Sequence, residues 1–198
     1  MIASLKSIAE EVRVCTRCRL HESRTHAVPG EGHPHARVLF IGEAPGRQED
    51  ETGRPFMGPS GRFLDELLGL AGLAREDVFI TSVNKCRPPG NRTPRLDEIE
   101  TCVAVHLTRQ LLAIEPEVLV LLGAAAVRGV LKMNVPRLGQ LAGREIDHEG
   151  RRVLVTYHPA AGMRFPGIAE SARKHFRHLR TMLGDARRVP RQPHRQAQ

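Results

Sequence analysis

No tryptophan, a single tyrosine and six phenylalanines leave this 198-residue chain without the aromatic platform that would stack a succession of bases. No run approaches the ~18 uninterrupted apolar residues of a membrane-spanning helix, and no basic segment followed by an apolar one opens the chain. A soluble, unexported, cytoplasmic protein with no membrane contact is therefore expected. Acidic residues are the scarcer charge: 22 Asp and Glu against 30 Lys and Arg give a net +8, which favours a polyanionic partner such as nucleic acid. Part of that excess lies in Arg187 to Gln198, which carries four arginines and no acid, so residues 185–198 read as a basic, disordered tail behind one domain spanning residues 1–184. There is no internal repeat. Cysteine is also sparse. Cys15 and Cys18 form a Cys-x-x-Cys pair, with Cys86 and Cys102 downstream, and without an export signal this argues for metal or redox chemistry over a disulfide.

What is present is an alternation of strands and helices. Val38-Leu39-Phe40-Ile41 is an apolar run that breaks into Gly42-Glu43-Ala44-Pro45-Gly46, as suits a strand buried on both faces whose carboxyl end opens on a ligand crevice. Val78 to Val83, Val118 to Leu122 and Val153 to Val155 read as further core strands, the last paired in a hairpin turning at Glu149-Gly150. Helical spacing marks residues 2–12, a helix from Phe63 to Ala71 capped by Ser60, one from Leu96 to Leu111, and a last one from Ala169 to Leu183. The polar stretches from His21 to His35 and from Arg47 to Gly61 read as loops. This pattern predicts an α/β fold, a three-layer α/β/α sandwich around a mostly parallel central sheet. The loops after Ile41, Val83, Leu122 and Val155 should then meet along one edge.

Those loops hold the unusual residues. Four thiolates suit a tetrahedral zinc or a four-iron cluster, and spacing does not separate the two. His158 directly follows the last strand. Phe56 is an isolated aromatic in a polar loop, a placement that solvent exposure alone does not explain. Glu43, Glu49 and Asp50 are candidate acids or bases and equally candidate caps. Lys85, Arg87, Arg92 and Arg95 surround a loop stiffened by Pro88-Pro89 and are suited to phosphates.

Several motifs in order then become specific: Gly42-Glu43-Ala44-Pro45-Gly46 with Glu49-Asp50, Gly53-Arg54-Pro55-Phe56, Gly58-Pro59-Ser60-Gly61, Lys85-Cys86-Arg87-Pro88-Pro89-Gly90-Asn91-Arg92 and His158-Pro159-Ala160-Ala161. Together they resemble the family 4 uracil-DNA glycosylases, as does the spacing of the four cysteines. The resemblance implies a uracil-DNA glycosylase-like fold, with a structural [4Fe-4S] cluster on Cys15, Cys18, Cys86 and Cys102 in preference to zinc. It further implies a monomer that excises uracil from single- and double-stranded DNA in the nucleoid. By the same resemblance His158 donates to the uracil O2, Asn91 orients the water, and Glu43 joins them as a catalytic residue. Gly42, Ala44, Gly46, Phe56, Ser82 and Asn84 would hold the base, with Met163 as the wedge into the vacated stack. Ser60, Lys85, Arg87 and Arg92 would meet phosphates. One position departs from the family pattern. Ser82 stands where an asparagine reads the base edge, and an asparagine follows at Asn84. The same fold acting on another deaminated base such as hypoxanthine is therefore an alternative, as is a noncatalytic iron-sulfur DNA-binding protein.

Overall fold

The computed structural model describes residues 3–186 except Pro136. Six strands form one sheet: β1 Glu31–Gly32, β2 Val38–Gly42, β3 Phe79–Ser82, β4 Val118–Leu122, β5 Glu145–His148 and β6 Arg151–Thr156. Their order is β1-β3-β2-β4-β6-β5, parallel through the middle four and antiparallel at both outer strands. Every residue of β2 and β4 is buried, which is why both sequences are unbroken apolar runs without polar alternation.

Among the described residues the α-helices are α1 Leu5–Val14, α2 Arg47–Thr52, α3 Pro59–Leu70, α4 Leu96–Cys102, α5 Thr108–Ile114, α6 Ala124–Leu131, α7 Pro159–Arg164 and α8 Pro166–Ala186. On one face of the sheet, Val38, Phe40, Val120 and Leu154 pack with Leu64 and Leu67 of α3 and Phe176 and Leu179 of α8. Phe40 stacks on Phe176 at 5.7 Å. On the other face, Leu39, Ile41, Leu121 and Val155 meet Ile99 of α4, Ile114 of α5 and Val127 of α6. Each fully buried side chain of β2 contributes about 1.5–3 kcal/mol over an exposed one, so the central strand anchors both layers. The expected three-layer sandwich is borne out. Ile8 and Val12 of α1 join Leu20, Ala27 and Cys86 in a smaller core outside the sheet.

Several local expectations give way. Arg47–Thr52 is a helix rather than loop, closed by Gly53 in the left-handed conformation. The two-residue β1 lies within the segment read as irregular. Gly58, not Ser60, is the N-cap of α3; Pro59 takes the first helical position, which its fixed φ suits. The helix expected from Leu96 to Leu111 is interrupted by a π turn at Val103–Leu107. The final helix extends to Ala186, two residues beyond the expected domain boundary, and the rest of the basic tail lies outside the described residues. Among the described residues no helix is long and apolar enough to cross a membrane.

Candidate active site

The carboxyl ends of the parallel strands converge as expected. Val83 N–H donates to the Gly42 carbonyl and Asn84 N–H to that of Glu43, extending the β2–β3 pairing into both loops. Gly123, at φ +94°, sits so close to the loop after β6 that a Cβ there would lie 3.2 Å from His158 Cβ. Between these turns lies a cavity of about 460 Å³. That volume is within the ~300–1,000 Å³ typical of small-ligand sites.

The floor is Phe56. Its φ is +51°, a conformation that a bulky residue adopts only when its surroundings enforce it. The enforcement is visible. Arg75 Nη2 donates to the Phe56 carbonyl at 2.7 Å. The start of α3 presses so near that a Cβ on Gly61 would lie 1.8 Å from that same oxygen. The Phe56 ring rests over Gly42, where a Cβ would lie 2.8 Å from Phe56 Cζ and 3.2 Å from Ser82 Oγ. Gly42 therefore stands behind the wall instead of lining it, while Ala44 and Gly46 line it directly. Gly42→Ala should tilt this ring and slow turnover on the order of 10²-fold, as misplacement near a reacting centre does. A crystal structure of the variant together with its kcat would check both halves.

His158 faces the Phe56 ring, centroids 5.6 Å apart and planes 27° from parallel. Ala160 N–H donates to His158 Nδ1 at 3.2 Å. The neutral ring must then carry its proton on Nε2. Burial pushes the His158 pKa down to about 4, against a smaller upward pull from Glu49, so the neutral form prevails near pH 7.

The carboxylates separate into two roles. Glu49 accepts from the N–H groups of Gly46 (3.0 Å), Met57 (2.8 Å) and Gly58 (2.9 Å), clamping the turn after β2 to the Phe56 strap. Asp50 accepts from Thr25 N–H. Glu43 lines the cavity with no side-chain partner among the described residues, and burial raises its pKa.

Asn84 and Lys85 are corrected as well. Asn84 does not line the cavity: it is 1% exposed and its Nδ2 donates to the Glu98 carbonyl at 2.9 Å, because β3 ends at Ser82 and the chain turns toward α4. Ser82 lines the wall instead. Lys85 is not placed for phosphate; it is 1% exposed, and Nζ donates to Thr81 Oγ1 (2.5 Å), the Ser82 carbonyl (2.8 Å) and Gln110 Oε1 (2.7 Å).

The remaining candidates gather at the rim. Asn91 lines the cavity at φ +55°, its Oδ1 accepting from Arg87 Nε at 2.7 Å. Arg92 also lines it but is forked onto Glu98, and Ser60 lines it from the first turn of α3. Met163 is half exposed on α7 and is not part of the wall. Arg164 and Phe165, both missed in the sequence, do line it. Phe165 is as exposed an aromatic as Phe56 is buried, and its place just before Pro166 was the available signal.

All four cysteines are free thiols, and they line one small second cavity with His21, Lys85 and His106. Arg24 Nη1 reaches Cys86 Sγ at 3.1 Å and the Cys15 carbonyl at 2.7 Å. No three His, Cys, Asp or Glu side chains among the described residues are placed to hold a single metal ion. The four thiols around a shared cavity, beside the cation of Arg24, are a donor set for an anionic metal centre.

Comparison with known proteins agrees with this geometry. Residues 29–184 match the model of the uracil DNA glycosylase superfamily. The chain belongs to that superfamily. Over 188 residues it is 41% identical to the type-4 uracil-DNA glycosylase of Archaeoglobus fulgidus, covering 91% of this chain and 94% of the relative. Identity to the type-4 enzyme of Saccharolobus solfataricus is 43%, covering 91% and 87%. To that of Thermotoga maritima it is 43% over 157 residues, covering 79% and 81%. Within the uracil-DNA glycosylase superfamily, then, the cavity lined by Phe56 and His158 is the place to seek the chemistry. The thiol cavity is a separate feature, lined by the end of α1, the start of the loop after β3 and the end of α4.

Proposed function

We propose that this chain is a DNA-repair glycosylase that hydrolyses the N-glycosidic bond of uracil in DNA and leaves an abasic site. The observation that carries the reading is the His158 tautomer: with Nδ1 occupied by Ala160 N–H, Nε2–H is the donor left for a base lying against Phe56. The glycosidic bond breaks with negative charge growing on the base and positive charge on the sugar. A fixed N–H aimed at a base carbonyl stabilises the leaving anion without transferring a proton. Glu43 is the carboxylate free to hold the attacking water or face the cationic sugar. The amide N–H₂ of Asn91 stays available at the rim once Arg87 has taken its oxygen. Reaching such a recess requires the nucleotide to leave the stack.

The test is incubation of the purified chain with single- and double-stranded oligonucleotides containing uracil, hypoxanthine or only ordinary bases, followed by alkaline cleavage. Strand scission at uracil supports the proposal. Its absence from every uracil substrate, with DNA still bound, supports a noncatalytic protein. Scission mainly at hypoxanthine favours the second reading, for which Ser82 at the wall is the specific observation.

A pH profile tests whether the ring is neutral. Because the folded His158 pKa lies near 4, well below the ~6.5 of an unfolded histidine, its neutral form needs no titration between about pH 6 and 8. kcat/KM should show no break near 6.5 from this group. Stability should carry the complementary signature. The unfolded chain protonates first, so the stabilisation is complete above pH 6.5 and is lost as pH falls toward 4. A rate step at 6.5 that disappears in His158→Ala would overturn the neutral-ring assignment.

The proposal extends to a [4Fe-4S] cluster held by Cys15, Cys18, Cys86 and Cys102, with a structural role, and to a monomer acting on nucleoid DNA. The cluster would tie the end of α1 to the loop after β3 and to α4.

A further inference from the structure

We infer that His106 donates a hydrogen bond to a sulfur of the centre bound by the four cysteines and thereby sets its reduction potential; this rests on the cluster reading above. His106 is 2% exposed, and both of its ring nitrogens are buried without a hydrogen-bond partner among the described residues. It lines the same cavity as the four thiols. It lies in the π turn Val103–Leu107, four residues after Cys102, so both side chains project from one helix face. Two other polar groups of the lining, Lys85 and His21, have partners of their own, and Arg17 and Thr101 complete the polar lining. Lys85 has its three acceptors, and His21 Nδ1 is within 2.8 Å of the Cys18 carbonyl.

An imidazole buried with neither nitrogen paired is costly to keep, and a leucine of similar bulk would avoid that cost. Buried polar groups as a rule have partners. The protein supplies none here, whereas cysteinate and sulfide sulfurs are acceptors that would stand within the cavity. Neutral or protonated, the ring carries at least one N–H. Such a bond favours the more negative, reduced state of a cluster and raises its potential.

The test uses full-length protein purified without oxygen, assayed for iron, acid-labile sulfide and potential. His106→Leu should keep the wild-type iron content yet shift the oxidised-to-reduced ratio at fixed poise by about tenfold toward oxidised, equivalent to about 59 mV for one electron. An unchanged potential in iron-replete His106→Leu overturns the inference while leaving the cluster reading intact. Wild-type protein free of iron and sulfide overturns both. Should the leucine variant fail to assemble, His106→Gln, which retains an N–H donor, decides. Full iron content with a potential near wild type supports the bond, and a glutamine variant that also lacks iron assigns His106 to packing around the thiols and overturns it.

Discussion

His158→Ala is expected to slow uracil release by about 10²–10³-fold, a barrier increase of about 2.7–4 kcal/mol, as removal of one oxyanion donor does. DNA affinity should change little. The asymmetry follows from the proposed role: the ring would touch the base only after extrusion, and charge reaches the base oxygen only as the bond breaks. Part of the loss will be mechanical, because the ring also stacks at 5.6 Å on Phe56. His158→Gln separates the two effects by restoring an N–H without the stack, and should recover some of the rate. Single-turnover cleavage beside equilibrium binding to the same oligonucleotide gives the comparison. Parallel losses in both, of equal size, would reassign His158 to holding DNA.

The second large effect is on stability. Lys85→Met is expected to lower unfolding free energy by about 2–4 kcal/mol, since it strands the Ser82 carbonyl and Gln110 Oε1 in the interior. The loss is partly offset. Burial holds the Lys85 pKa down to about 8, so the ammonium itself is costly to keep there and methionine removes that cost. Thr81 retains its bond to the Pro29 carbonyl at 3.0 Å. Denaturant melts report the destabilisation. The folded fraction should bind DNA with an unchanged salt dependence, because the amine never reaches the surface. A lysine on phosphate would instead reduce the salt slope by about one. That outcome with unaltered stability would return Lys85 to the DNA interface.

Lys85 also shows where sequence reading succeeds and stops. The four parallel strands were legible because burial on both faces forces continuous apolar runs, and β2 and β4 are of that kind. Phe56 and His158 were legible because each sits where its chemistry has no ordinary structural reason. Lys85 and Asn84 were misplaced because polarity suggested surface or ligand. The acceptors that bury Lys85 come from Thr81 and from Gln110, 25 residues away. That partnership exists only in three dimensions. The helix Arg47–Thr52 was missed for a related reason: it has no apolar stripe, and Glu49 secures it through three backbone N–H groups instead. β1, two residues long and containing Gly32, is too brief for any periodicity. Glu49 itself was left between acid-base chemistry and capping, and its bonds decide for the latter.

The sheet's outer strands have a consequence beyond the catalytic edge. On β5 the outward positions are Glu145 and Asp147, and β1 stops after a glycine whose Cβ would lie 1.9 Å from the Val78 carbonyl. A stranger chain seeking to add a seventh strand would meet carboxylates on one flank and almost no template on the other. The same boundary that completes the fold thus leaves little for a further strand to pair with at either edge.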